Sequence, residues 1–176
     1  MKQIAVIYKS KYGTTKQYAT WIAEELKADL FNRSRINPKE LSGYDLVVYG
    51  GGLYAGGISG IDLVTRNPCK NLVIFTVGLA DPNTTDYSDI IRKNIPEEKF
   101  KDIKIFHLRG GIDYKKLGIV HKSMMAMLKK VMLDKKAEYE RTEDDRMMTE
   151  TYGKKVDFTD RKTIRPIVEY VRSFDN

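Results

Sequence analysis

The residues best suited to chemistry begin at Ser10-Lys11-Tyr12-Gly13-Thr14-Thr15. The hydroxyls of Ser10, Thr14 and Thr15 are donors, Lys11 is a cation, and Gly13 lets a ligand approach the backbone. Before them, Ile4, Ala5, Val6 and Ile7 read as a buried strand; after them, Tyr18, Ala19, Ile22, Ala23 and Leu26 recur at helical spacing. The stretch therefore feeds a helix N-terminus, where unpaired N–H groups and roughly half a positive charge favour an anion. A Thr-Thr pair before a helix is equally an ordinary N-cap, so these residues alone leave both readings open. The chain has neither G-x-x-x-x-G-K-S/T, for a nucleoside triphosphate, nor G-x-G-x-x-G, for a dinucleotide pyrophosphate. A hydroxyl-rich turn with one glycine suits a single terminal phosphate.

Two further glycine-containing stretches follow apolar runs. Gly50-Gly51-Gly52-Leu53-Tyr54-Ala55-Gly56-Gly57 leaves Leu53 and Tyr54 as the large side chains of an otherwise bare loop. Such glycines commonly serve tight turns, but beside a phosphate site they also let a flat ring approach, with Tyr54 placed to stack on it. Val77-Gly78-Leu79-Ala80-Asp81, leading to Pro82-Asn83, offers backbone contacts from the other side. Two faces and a phosphate anchor suit a flat mononucleotide. Other chemistry is thin. His107 and His121 stand apart from any cysteine or carboxylate cluster at ligand spacing, so no metal is expected. Ser10 lacks the G-x-S-x-G nucleophile elbow of a hydrolytic serine, and the one cysteine, Cys69, is assigned no chemistry.

The elements that must position these loops alternate. After the first helix come a strand over 29–32, a break at Asn37-Pro38, a strand over 44–49, a helix over 60–66, a strand over 72–77, a helix over 86–93 and a strand over 103–108. Ile164, Ile167, Val168, Val171 and Phe174 mark a closing amphipathic helix. This alternation implies a parallel sheet covered on both faces, a doubly wound α/β domain. Ligands of such sheets sit at the carboxyl ends of the strands, where strand order reverses, and all three loops fall there. At 176 residues the chain is expected to form one domain, 1–176. No run approaches the roughly 18 apolar residues of a membrane span. The N-terminal residues do not read as a secretory signal, and a single cysteine suits a reducing compartment, so the expected location is the cytoplasm.

On these residues the chain resembles the flavodoxins. The stretch 9–15 is similar to that family's Ser/Thr-rich phosphate loop for flavin mononucleotide (FMN); 51–57, with Tyr54, stands in the place of the second flavin loop, and 77–81 in the place of the third. The resemblance implies a five-stranded parallel sheet in the order 2-1-3-4-5 and non-covalent FMN held by these three stretches. It also implies that the flavin carries the reaction, with no catalytic side chain assigned.

About fifty residues, roughly 109–158, separate the fifth strand from the last helix, far more than an ordinary connection. They open with Leu108-Arg109-Gly110-Gly111-Ile112-Asp113-Tyr114 and continue through an amphipathic stretch, Leu117, Val120, Met124, Met127, Leu128 and Val131, to a charged segment ending near Glu150. This layout resembles the flavodoxin-like branch containing the menaquinone-dependent protoporphyrinogen IX dehydrogenases. That resemblance implies an FMN-dependent oxidoreductase passing electrons from an organic substrate to a quinone, in haem biosynthesis. The alternative is a flavodoxin-type carrier between redox protein partners, which a Gly56-Gly57 peptide able to turn its carbonyl toward the flavin would favour.

The formal charge of +7 departs from the usual acidity of flavodoxins. Much of the excess lies in the first part of the insert, 109–136, where Arg109, Lys115, Lys116, Lys122, Lys129, Lys130, Lys135 and Lys136 face only Asp113 and Asp134. Lysines commonly make a solvated face. The sharper expectation is a surface for anions, either an acidic substrate or the headgroups of an anionic membrane contacted peripherally. The insert's apolar side is expected to cover the sheet. No nucleic-acid motif accompanies the lysines, so nucleic acid is not an expected partner.

Overall fold

Side chains along the first strand, β1 (Ile4–Lys9), alternate between two faces: Val6 and Tyr8 join one apolar cluster, Ala5 and Ile7 another, and all four are buried. A strand buried on both sides requires a helical layer over each face. The computed structural model describes residues 2–119, 122–123, 125–127, 129–130 and 151–175. After β1 the chain runs through α1 (Thr14–Leu26), β2 (Asp29–Asn32), β3 (Leu46–Tyr54), β4 (Gly57–Ile58), α2 (Asp62–Thr65) and β5 (Leu72–Gly78). It continues through α3 (Ser88–Asn94), β6 (Ile103–Arg109), β7 (Gly111–Asp113), β8 (Lys155–Asp157) and, with the break in description between β7 and β8, ends in α4 (Arg165–Arg172).

The long strands pair in parallel in the order β2-β1-β3-β5-β6, the expected order of the five strands, and the two-residue β4 adds an antiparallel sixth beside β3. On one face, Tyr18, Ala19 and Ile22 of α1 and Ile167, Val168 and Val171 of α4 pack on Val6, Val48, Val73 and Phe75. On the other, Leu41, Leu63, Val64 and Ile95 cover Ile7, Val47, Tyr49 and Ile74. The closing helix thus buries the stripe its sequence announces.

Two elements differ from their sequence-based bounds. The third strand does not stop at 49 but runs on through Gly50, Gly51 and Gly52 to Tyr54. Pairing to β1 and β5 on both sides outweighs the poor strand preference of glycine. A Cβ on Gly50 would lie 2.1 Å from Cζ of Phe75, and one on Gly51 would lie 2.5 Å from Cγ2 of Ile58. These two glycines are demanded by packing rather than by a loop. The helix expected over 60–66 shortens to the four residues of α2, since Gly60 enters with φ +70 and Pro68 stops it.

The insert is tied at its base. β7 and β8 pair antiparallel, outside the main sheet, from Gly111 opposite Asp157 to Asp113 opposite Lys155. The Gly110 N–H donates to Gly78 O at 2.6 Å, and the Phe158 N–H donates to Gly110 O at 3.1 Å. Described residues between 119 and 130 are helical. Val120, His121, Met124, Leu128, Val131, Asp134, Lys135, Lys136 and the charged segment to Glu150 lie outside the described residues. Leu117 is buried as expected, but Met127 is 69% exposed and does not cover the sheet. Among the described residues no helix is long and apolar enough to cross a membrane.

Replacing Gly50 with alanine forces a methyl group into the Phe75 ring. We expect Gly50→Ala to lower stability in urea denaturation by about 1–3 kcal/mol. Gly43→Ala, where an added Cβ meets nothing within 4 Å, should stay near the parent.

Candidate functional site

The first strand hands over to α1 through a glycine cap. Gly13, at φ 100 and ψ −24, is the N-cap of α1, and no side chain caps the helix. Thr14 and Thr15 are therefore its first two helical residues, and the reading of them as caps is set aside. The Gly13 N–H donates to Ser10 Oγ at 3.0 Å and the Gln17 N–H to Gly13 O at 2.9 Å, which fixes the turn. Thr15 is buried beside Gly52, where an added Cβ would come within 3.3 Å of its Oγ1.

A cavity of about 430 Å³ brings the three stretches together, within the roughly 300–1,000 Å³ range of small-molecule sites. Its wall comprises Ser10, Lys11, Tyr12, Thr14 and Thr15; Gly52, Leu53, Tyr54 and Ala55; and Val77, Gly78 and Leu79. The other candidates act elsewhere. Gly13 shapes the cap, and Gly51 makes room for Ile58. Gly56, at φ 74, and Gly57 close the hairpin between β3 and β4. Ala80 and Asp81 do not reach the cavity. The Asp81 carboxylate accepts the Asn83 N–H at 2.9 Å and faces Arg109 at 3.9 Å, so it builds the turn behind the wall. Ser59, Gly110, Gly111, Ile112, Leu117 and Met125 also line the cavity and were missed from the sequence. The Gly110-Gly111 pair, a further glycine step at a strand end, was a readable signal; Ser59 and Met125 carried none.

A second cavity, about 890 Å³, adjoins the first and shares Lys11, Tyr12, Thr14, Gly111 and Ile112 with it. Its remaining wall comes from the insert and its base: Asp113, Lys116, Gly118, Ile119, Lys155, Val156 and Asp157. The carboxylates of Asp113 and Asp157 accept the Lys115 and Thr159 N–H groups, each at 3.0 Å. Between the cavities, Lys11 Nζ lies 5.9 Å from the ring of Tyr12 and 5.4 Å from that of Tyr54, within cation–π reach. Burial, and secondarily Tyr54, raise the Tyr12 phenol above its usual range.

Side chains behind the wall hold the loops still. Asn94, at the end of α3, donates through Nδ2 to Gly56 O and accepts the Ile58 N–H at Oδ1, both at 2.9 Å. The Arg109 guanidinium stacks 3.8 Å from the Phe158 ring, while its Nε donates to Leu79 O at 3.2 Å. His107 lies flat on Tyr87, ring centroids 3.7 Å apart, with its Nδ1 2.6 Å from Thr76 Oγ1. Burial lowers its pKa from 6.5 to about 4, so the ring stays neutral. Among the described residues no group of His, Cys, Asp and Glu could hold a metal ion.

A doubly wound sheet with its loops gathered at the strand-order reversal defines the class. The chain belongs to the flavodoxin domain family, whose model matches residues 5–140. An uncharacterized protein of Methanocaldococcus jannaschii is 30% identical over 115 residues, which is 62% of this chain and 76% of that protein. Among solved structures, a WrbA-like flavodoxin from Agrobacterium tumefaciens is similar at 23% identity and a TM-score of 0.41, over 47% of this chain and 64% of that one. The chain thus spans just under two-thirds of that protein's length. A flavoprotein from Lactobacillus acidophilus in complex with FMN is similar at 14% identity and a TM-score of 0.44, over 62% and 93% of the two chains. Two-electron reduced flavodoxin from Megasphaera elsdenii aligns at 12% identity and a TM-score of 0.47, over 61% and 85%.

The depressed His107 pKa has a definite sign. As the medium is acidified the unfolded chain takes up this proton first, so stability should be full above about pH 6.5 and fall toward about pH 4. Thermal melts across that window should show a smaller acid loss for His107→Gln than for the parent.

Proposed function

We propose that the protein is an FMN-dependent oxidoreductase of the protoporphyrinogen dehydrogenase type, passing electrons from an organic substrate to a quinone. Non-covalent FMN is the cofactor, and the residues fit it. The open first turn of α1, Lys11, and the hydroxyls of Ser10 and Thr14 make a donor set for one phosphate. Leu53 and Tyr54 provide one side for the ring, and Val77, Gly78 and Leu79 the other. Added Cβ atoms would crowd the wall at Gly78, 3.0 Å from Leu53 Cδ1, and at Gly110, 2.6 Å from Val77 Cγ1. Bound there, the flavin supplies reversible two-electron chemistry.

The adjoining 890 Å³ cavity carries the enzyme reading, because a carrier needs no room for a substrate beside its cofactor. Its wall joins the ammonium groups of Lys11, Lys116 and Lys155 to the apolar Ile112, Ile119 and Val156, while the carboxylates of Asp113 and Asp157 are each engaged by a backbone N–H, a lining suited to an apolar body with acidic arms. Each cycle takes two electrons and two protons from the substrate and delivers both to the quinone, giving a quinol. Tyr12 and Lys11 stand at the boundary of the two cavities and orient the bound molecules. Asn94 bears against the carrier alternative. A Gly56 carbonyl turning toward the ring would first have to leave the Asn94 amide.

Anaerobic turnover of FMN-loaded protein with protoporphyrinogen IX and a menaquinone analogue tests the proposal. Quinone-dependent formation of protoporphyrin is expected. Rapid single-electron exchange with a redox protein, and no oxidation of protoporphyrinogen by any quinone, would replace it with the carrier.

A further inference from the structure

Ile119 and Met127, at 85% and 69% exposure, are the most exposed large apolar side chains among the described residues. Both belong to the helical part of the insert. Positions 119, 122, 123, 126, 127 and 130, spaced i, i+3, i+4, i+7, i+8 and i+11, are all exposed there. Positions 125 and 129 are half-buried; Met125 lines the smaller cavity, and Lys129 Nζ lies 4.3 Å from the Tyr152 ring. An outward stripe therefore carries Ile119 and Met127. Lys122 and Lys130 flank them, and Lys115 and Lys116 precede them, with no acidic residue among the six stripe positions. A stripe of this kind burdens a face that only meets water: apolar side chains lie where solvent offers them nothing, and the charges around them share one sign.

We propose that this face docks on the surface of an anionic lipid bilayer, the two apolar side chains entering the headgroup–acyl boundary and the lysines pairing with lipid phosphates. Charge selects this occupant. Basic residues beside apolar ones match an interface of negative headgroups over hydrocarbon, whereas a second copy of the face would set lysines against lysines. The docked face is continuous with the site, because Lys116 and Ile119 also border the larger cavity. Seating Ile119 at the bilayer brings the rim of that cavity to the lipid, so a lipid-soluble partner reaches it without crossing water. Docking itself does not depend on the flavin or on the identity of the substrate.

Flotation of the full-length, FMN-loaded protein with vesicles of phosphatidylcholine plus phosphatidylglycerol, against vesicles of phosphatidylcholine alone, tests the proposal. The parent should float with the mixed vesicles and release as salt rises. Lys122→Ser with Lys130→Ser should weaken binding roughly thirtyfold, from about 1 kcal/mol per basic residue near the surface. Ile119→Ser with Met127→Ser should weaken it at fixed charge, which bulk attraction to a basic protein cannot explain. Lys39→Ser with Lys93→Ser, two exposed lysines outside both cavities, should cost little. The proposal is overturned if the parent ignores the mixed vesicles, or if the Lys39 and Lys93 pair matters as much as the Lys122 and Lys130 pair. It is equally overturned if light scattering shows that Ile119 and Met127 hold a dimer. Circular dichroism and the flavin absorbance of each variant, read separately, distinguish lost folding or lost cofactor from lost docking.

Discussion

The arrangement of the site depends on how α1 begins. A helix start leaves its first amides without partners, and a side chain at the N-cap normally satisfies one of them. Here the N-cap is Gly13, which has no side chain to give and holds a φ of 100 that other residues adopt only with strain. Ser10, the neighbouring hydroxyl, is turned to the Gly13 N–H instead. The first turn is thus left without a side-chain partner where it borders the smaller cavity. A phosphate dianion meets that need better than water, because amides and dipole both favour negative charge.

Tyr18, one turn further along the same helix, couples this start to the insert. Its hydroxyl donates to Arg109 O at 2.7 Å and accepts the Asp160 N–H at 3.2 Å. Arg109 ends β6, where the insert leaves the domain, and Asp160 follows β8, where it returns. One buried phenol therefore sets the helix that opens the smaller cavity against both ends of the segment that walls the larger one. Arg109 extends the link to the third loop through Leu79 O. The smaller and larger cavities are consequently parts of one packed unit, and the shared wall of Lys11, Tyr12 and Thr14 lies between them.

The two-sided core was legible because burial on both faces leaves continuous apolar runs such as Ile4 to Ile7 and Leu72 to Val77, whereas the strand order followed from the resemblance to flavodoxins. The hydroxyl-rich turn that opens on the smaller cavity was legible from residue types at a strand end. Less legible was the division of labour among glycines. Gly50 and Gly51 look like loop residues in sequence, yet their roles are set by Phe75 and Ile58, which arrive from elsewhere in the chain. Asp81 looked like a candidate contact because it sits in the right loop, but its carboxylate is spent on its own turn and on Arg109. Met125 and Met127 are two residues apart and face opposite environments, one lining a cavity and one in solvent. Only the tertiary placement of the insert distinguishes them. The base of the insert, Gly111 to Asp113 paired with Lys155 to Asp157, joins stretches too far apart for any local pattern to reveal.

The central claim is that the uncapped start of α1 receives the phosphate of a flavin mononucleotide. Calorimetric titration of the flavin-free protein with FMN and with riboflavin, which differ only by that phosphate, tests it most directly. Two or more hydrogen bonds to a charged group, at about 1.5–3 kcal/mol each, predict that FMN binds at least about a hundredfold more tightly. Equal affinities for the two flavins would contradict the account.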